Sequence, residues 1–153
     1  MVIKTQVELN NFINSKIKYA LQLTMEELLD KLHEYIMEEV YDDYNPSWYN
    51  RSYELMNNWS YTKPIIVGDL VESILSFSEP ISHSGADDFQ HGMSWLDNQS
   101  FLEVVNDGRI GNICGFPQLG GRPFWTKFEM YCSANFSTIF KLKLNQLGLK
   151  TRG

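Results

Sequence analysis

Between Val7 and Val40 the apolar residues Leu9, Phe12, Ile13, Ile17, Ala20, Leu21, Met25, Leu28, Leu32, Ile36 and Val40 recur in steps of three and four. That spacing keeps them on one face of a helix. Glu26, Glu27, Asp30, Lys31, Glu34, Glu38 and Glu39 take the remaining positions, so the pattern predicts a long amphipathic helix. Thr24 followed by Glu27 has the form of a capping box, which could restart the helix after a break near Leu23. One long helix and a broken pair both satisfy the pattern.

The run Tyr41-Asp-Asp-Tyr-Asn-Pro46 ends that helix, because the residue before a proline is pushed away from helical dihedrals and Asp and Asn favour local turns. A short helical turn is expected over Ser52 to Asn58, with Tyr53, Met56 and Trp59 on a shared face. Two β-forming runs, Ser60 to Val67 and Leu70 to Ser78, flank Gly68 and Asp69, which suits a two-residue hairpin turn. The second run has apolar residues at both parities, so a strand covered on both sides is expected. A polar loop from Ser78 to Trp95 follows, then a short helix over Gln99 to Asp107, capped by Asp97 or Asn98 and ended by Gly108. A glycine-rich stretch from Gly108 to Gly121 leads to a closing helix. Pro123 suits its first turn, Phe124, Phe128, Tyr131, Ala134, Asn135, Ile139, Leu142 and Leu144 line it, and Gly148 ends it. The predicted class is α+β in a single domain: a long N-terminal amphipathic helix and a C-terminal helix packed on a small antiparallel sheet, with a short extra helix.

Composition narrows the function classes. The chain has 153 residues, 43% hydrophobic and 21% charged, close to the average of globular domains and long enough to bury a core. No apolar run reaches the length of a membrane span, and the N-terminal sequence lacks a cationic head followed by an apolar block. The chain is therefore expected to stay in the compartment where it is made, with no membrane partner. Cys114 and Cys132 are read as reduced thiols. A formal net charge of −6 opposes general attraction to phosphate backbones.

The candidate chemistry is sparse. His83, Asp87, Asp88 and His91 share a loop whose imidazoles and carboxylates could bind a divalent metal, although their spacing matches no zinc pattern. His33 lies among glutamates and is expected on a solvated face. The Gly108–Gly121 stretch could form an anion-binding nest of backbone amides, but it lacks the Lys-Ser/Thr ending of a nucleotide loop and the dinucleotide fingerprint. Cys114 has no base beside it in sequence. No catalytic residue, metal or cofactor is assigned.

The densest signal is aromatic. Tyr41, Tyr44, Trp48, Tyr49, Tyr53, Trp59 and Tyr61 crowd the stretch after the first helix. Such side chains bury large areas while their polar tips need partners, which suits a core lid or a protein interface; both readings stand. Arg51, the only Lys or Arg between Lys31 and Lys63, could bridge Asp42 or Asp43, tyrosine oxygens and backbone carbonyls.

The order Tyr41, Tyr44, Pro46, Tyr49, Arg51, Ser52, Leu55 and Trp59 resembles the signature of the minor tail-component family of long-tailed bacteriophages, also described as neck, tail-completion or head-tail joining proteins. Ser52 stands where that family has Thr. His91-Gly-Met-Ser-Trp95, Phe101 to Gly108, and Gly121-Arg122-Pro123-Phe124 resemble its later blocks, in the expected order. The resemblance implies an α+β virion subunit that forms a homo-oligomeric ring, with sixfold closure expected. It would sit in the neck or at the tail end, touching a connector or head-completion protein and a tail-tube or tail-terminator protein. Before assembly it would reside in the host cytoplasm. No catalysis and no cofactor are implied. The acidic balance suits a conduit through which DNA passes without specific binding.

Two other readings compete: a small metal-dependent hydrolase or nuclease using the His83–His91 loop, and a host-directed phage regulatory protein binding through the aromatic stretch. Under the virion reading, Arg51→Ala is expected to destabilise the subunit or its assembly by ~2 kcal/mol or more, because the groups paired with the guanidinium lose their partner. An unchanged melting temperature together with normal incorporation into particles would refute this.

Overall fold

A computed structural model of the chain describes residues 5–42, 53–78, 105–106 and 121–151. In order these residues form helix α1 (Gln6–Ile36), a π-helical segment (Met37–Tyr41), the short helix α2 (Glu54–Asn57), strands β1 (Trp59–Tyr61), β2 (Ile65–Val67), β3 (Leu70–Glu72) and β4 (Leu75–Phe77), and helix α3 (Phe124–Gln146). The class is α+β, with two long helices, small antiparallel sheets and a short extra helix, as the sequence predicts. The described residues divide into two compact units, one of residues 5–30, 61–75 and 131–151, the other of residues 31–42, 53–60, 76–78, 105–106 and 121–130.

Helix α1 is continuous through Leu23. The Thr-x-x-Glu capping pattern occurs twice, and it caps at Thr5, not at Thr24. Thr5 Oγ1 accepts the Glu8 N–H at 3.1 Å, and its carbonyl accepts the Leu9 N–H at 3.1 Å, which is the arrangement of an N-cap residue. Thr24 is fully buried, and its hydroxyl donates back to the Ala20 carbonyl at 2.8 Å. That bond satisfies the polar group inside the apolar stripe, so the helix has no need to break there.

In the first unit the core is Ala20, Leu21, Thr24, Met25 and Leu28 from α1 with Ile139 and Leu144 from α3. Neighbouring carboxylates of α1 fasten different elements. Glu26 Oε1 accepts from Tyr61 Oη at 2.9 Å and from Gln22 Nε2 at 3.0 Å, while Glu27 pairs with Lys143 of α3 at 2.6 Å. The end of α3 follows a Schellman pattern. The Leu149 N–H donates to the Leu144 carbonyl and the Gly148 N–H to the Asn145 carbonyl, both at 3.0 Å. Gly148 takes φ +84°, a left-handed conformation that a Cβ would strain. Leu142, expected on the buried face of α3, is exposed.

Strands β2 and β3 pair antiparallel with Ile65 opposite Glu72, Ile66 opposite Val71 and Val67 opposite Leu70. The connection is the expected two-residue Gly68–Asp69 turn, with φ +60° at Gly68; a positive φ at the first central residue is the mark of a type II′ turn. The Thr62 N–H donates to the Ile74 carbonyl at 2.9 Å, so the register slips by one residue between that pair and Ile65–Glu72. Lys63 and Pro64 therefore stand against Ser73 alone, forming a β-bulge. A proline, having no N–H for a ladder, is at home there. Side chains complete the bonding, since Ser73 Oγ donates to the Thr62 carbonyl at 2.6 Å and Thr62 Oγ1 accepts the Ile74 N–H at 2.9 Å.

The expectation that the second β run is covered on both sides is corrected. Leu70 and Ile74 are exposed, whereas Val71, Leu75 and Phe77 are half-buried. Period-two alternation does hold along this run, and the apolar residues of the outer parity lie open to solvent.

Tyr61 is expected to report the first unit's integrity at high pH. Burial, then the hydrogen bond to Glu26 and that carboxylate's charge, hold its phenol above the ordinary tyrosine range. A phenol raised in the fold contributes fully below the unfolded value and loses that contribution as pH rises through the folded value, above about pH 10. Tyr61→Phe should cost about 1 kcal/mol at neutral pH and flatten the alkaline limb of the stability profile. Urea titrations from neutral to alkaline pH measure both; an identical alkaline limb in the variant would show that Tyr61 does not set it.

Candidate functional site

The residues that carried the aromatic and Arg-Pro-Phe blocks of the sequence meet in the second unit. Beyond Ile36 the first helix widens into the π-helical segment, whose Met37 carbonyl accepts the Asp42 N–H at 2.9 Å, five residues on. A helix end leaves carbonyls without intrahelical donors. Arg122 Nη1 donates to one of these, the Val40 carbonyl, at 2.8 Å, and places positive charge where the helix dipole is negative. Lys127 adds an ion pair with Glu39, whose hydrogen bond and charge raise the Lys127 pKa.

Arg122 also begins the last helix. Its backbone N–H donates to the Val105 carbonyl at 2.9 Å and its carbonyl accepts from Phe124 at 2.8 Å. Pro123 occupies the cap position, with its carbonyl taking the Lys127 N–H at 2.9 Å; a residue with no N–H suits a helix start, where amides lack intrahelical acceptors. Because Pro123 has no side-chain acceptor, the missing cap comes from a distant residue. Asn106 Oδ1 accepts the Thr126 N–H at 3.1 Å while Asn106 Nδ2 donates to Thr126 Oγ1 at 2.9 Å. Phe124 follows directly and is fully buried. The three residues Arg122, Pro123 and Phe124 thus close one helix, open another and anchor it.

Trp59 lies in a row of rings. Its ring centroid is 4.1 Å from that of Phe77 on β4 and 5.2 Å from that of Trp125, with an interplanar angle of 12° in the second pair; Trp125 in turn lies 5.5 Å from Phe128. Offset and tilted pairs at such distances add about 0.5–1.5 kcal/mol beyond area burial. Trp59 opens strand β1 and does not extend the α2 face expected to carry it. The cause is a distant pairing: α2 ends at Asn57, and the Asn58 carbonyl accepts the Ser78 N–H at 2.6 Å, at the end of the β1–β4 pair. Leu55, Trp59, Phe124 and Phe128 are buried with Leu32 and Ile36.

Tyr41 and Tyr53 also pair, with centroids 4.7 Å apart at 45°. Tyr53 has φ +55°, a left-handed conformation costing a non-glycine residue about 1–2 kcal/mol. It lets the Tyr53 carbonyl accept from Met56 at 3.1 Å and Asn57 at 2.9 Å, starting α2. Two buried polar atoms, Trp59 Nε1 and His33 Nε2, have no hydrogen-bond partner among the described residues. The expectation of a solvated His33 is corrected accordingly: the side chain is half-buried, with its Nε2 inside.

The YomN family model matches residues 5–144, from the Thr5 cap to Leu144 in the last helix. The chain belongs to the YomN family. No curated protein and no solved structure matches it. The YomN-family match spans the described elements up to Leu144, two residues short of the end of α3, and includes the Arg122–Phe124 junction and the aromatic row.

Of the residues singled out from sequence, Tyr41, Leu55, Trp59, Arg122, Pro123 and Phe124 fall within this one unit. Tyr44, Pro46, Tyr49, Arg51, Ser52, His91 and Trp95 lie outside the described residues, as do His83, Asp87, Asp88, Cys114 and most of the glycine-rich stretch. Sequence reasoning placed Phe128 with Phe124 on the lining face of the last helix and missed Phe77, Asn106 and Trp125 as members. Trp125 lies off the Phe124 spacing, and Asn106 carries no signal, since a cap supplied from a distance has no fixed offset.

The arrangement is architectural: each polar contact described ends a helix or fixes a ring. Arg122→Ala is expected to lower stability by about 1–2 kcal/mol and Asn106→Ala by about 1 kcal/mol, with Arg122→Lys between wild type and Arg122→Ala. For a chain of this size about 1 kcal/mol moves the melting temperature by about 2–4 °C. Calorimetry reads the shifts, and an Arg122→Ala protein melting with wild type would remove the junction from the account.

Proposed function

We propose that this protein is a structural virion subunit of a phage head-tail neck or tail end. In this reading it assembles as a ring that joins connector and tail tube, and it works by fitting surfaces together without converting a substrate. The four sequence blocks shared in order with the tail-completion type support this, and two of them supply the Trp59 row and the Arg122 junction.

The observation that carries the reading is an adhesive surface. On the β2–β3 hairpin and its flank, Ile65, Ile66, Val67, Leu70 and Ile74 are 54, 39, 51, 69 and 60% exposed. Register places Ile65, Val67 and Leu70 on one face, which Ile74 shares by strand parity, with Ile66 and Val71 on the other; exposed aliphatic side chains grouped in this way mark interaction sites. A subunit that closes by rotation needs such a patch on a rigid frame. The net charge of −6 suits walls past which DNA slides without sticking.

Mass spectrometry of purified, DNA-filled particles is expected to find the chain in several copies per particle. Particles lacking it should carry full heads with tails missing or loosely attached. Infectious particles containing none of the chain would overturn the proposal.

A further inference from the structure

The exposed hairpin has a chemistry that selects its partner. Resting on the reading of the chain as an assembling subunit, we infer that the hairpin tip joins one copy to the next, the β3 edge of one pairing antiparallel with the β2 edge of its neighbour.

Backbone geometry comes first. Opposed residues of an antiparallel pair alternate between mutually bonded and non-bonded, and a two-residue turn is closed by a bonded pair. Val67 and Leu70 close the Gly68–Asp69 turn, so Ile66 and Val71, next in register, turn their N–H and C=O groups away from each other. Each edge of this two-stranded sheet thus offers one residue with both backbone groups aimed outward. A new strand can be added to such an edge. Edge strands of stable monomers are blunted by charge or proline, yet Ile65, Ile66 and Val67 carry neither.

Charge then decides the occupant. The β2 edge is preceded by Lys63, and the β3 edge carries Asp69 in the turn and Glu72, all three exposed. Pairing β3 with β3 would bring acidic groups together between copies that each already bear a charge of −6. Pairing β3 of one copy with β2 of the next sets Val71 against Ile66 and brings Glu72 near Lys63, while Ile65, Val67 and Leu70 cover one another. Because β2 and β3 run antiparallel, this head-to-tail contact continues one antiparallel sheet from copy to copy. A contact of two unlike surfaces generates a ring when its rotation closes.

Area sets the strength. Four exposed aliphatic side chains on one face make a patch on the order of several hundred Å², below the roughly 800 Å² per partner of a stable pair. Association in dilute solution should therefore be weak and concentration-dependent.

Sedimentation of the full chain over a wide concentration range tests this, with circular dichroism and thermal melts confirming folding of each variant. Wild type is expected to self-associate at high concentration. Ile66→Pro removes only an outward N–H from β2 and should weaken association at least about tenfold. Lys63→Glu and Glu72→Lys should each weaken it, and the Lys63→Glu/Glu72→Lys double variant should restore it. Wild type that stays monomeric throughout, or folded variants that associate as wild type does, would overturn the inference. Whether the chain is present in particles is decided separately by the virion analysis, so the two readings fail on different observations.

Discussion

A single row of side chains along α1, Ala20, Thr24, Leu28, Leu32 and Ile36, is the constraint on which the rest of the structure depends. All five are buried, at the fourfold spacing that stacks residues on one helical face. The first three belong to the core of one compact unit and the last two to the other. Helix α1, 31 residues long and so about 46 Å from end to end, contributes buried residues to each unit. A break at Leu23 would cut the row inside the first unit. The Thr24 hydroxyl prevents the need for one by bonding to Ala20, because an unsatisfied buried hydroxyl would cost about 1–3 kcal/mol.

Magnitudes rank what surrounds that row. Fully burying a side chain such as Phe124, Leu32 or Ile36 contributes about 1.5–3 kcal/mol, whereas each hydrogen bond that ends a helix contributes about 1 kcal/mol net. The ion pairs Lys31–Glu34 and Lys127–Glu39 involve exposed groups and rank last, since solvent screens them and ordering two long side chains opposes them. Apolar burial therefore holds each unit together internally, and the polar contacts decide where helices start and stop. Arg122 and Asn106 belong to the second kind. Their effect is to fix the entry of α3 so that Phe124 and Phe128 reach the core.

Regular elements were legible from the chain because each announces itself locally. The period of α1, the Gly68–Asp69 turn and the glycine that ends α3 all depend on neighbours within a few residues, and the structure has each of them. Where the sequence misled, the deciding partner was distant or the same pattern had two uses. Thr5–Glu8 and Thr24–Glu27 are alike as strings, and only burial separates the cap from the interior threonine. Trp59 fits helical spacing after Met56, but pairing with β4 claims it for a strand. Leu142 fits the stripe of α3 and is exposed, since spacing fixes a residue's face and not what packs against it. The second unit's ring row joins positions 59, 77, 125 and 128, a grouping that no local rule produces.

The aromatic stretch posed a choice between core and contact surface, and its described members divide. Trp59 is buried, Tyr41 and Tyr61 are half-buried, and Tyr53, whose ring pairs with that of Tyr41, is exposed. An exposed aliphatic surface lies instead on the β2–β3 hairpin, whose second strand the sequence pattern predicted to be covered on both sides. The two kinds of side chain suit these different tasks. A tryptophan ring gains from a fixed geometry for its face, which the packed second unit gives Trp59 although its Nε1 has no hydrogen-bond partner among the described residues. Isoleucine and valine have no polar atoms to satisfy and favour extended backbone, so they can lie open on a strand until another strand covers them.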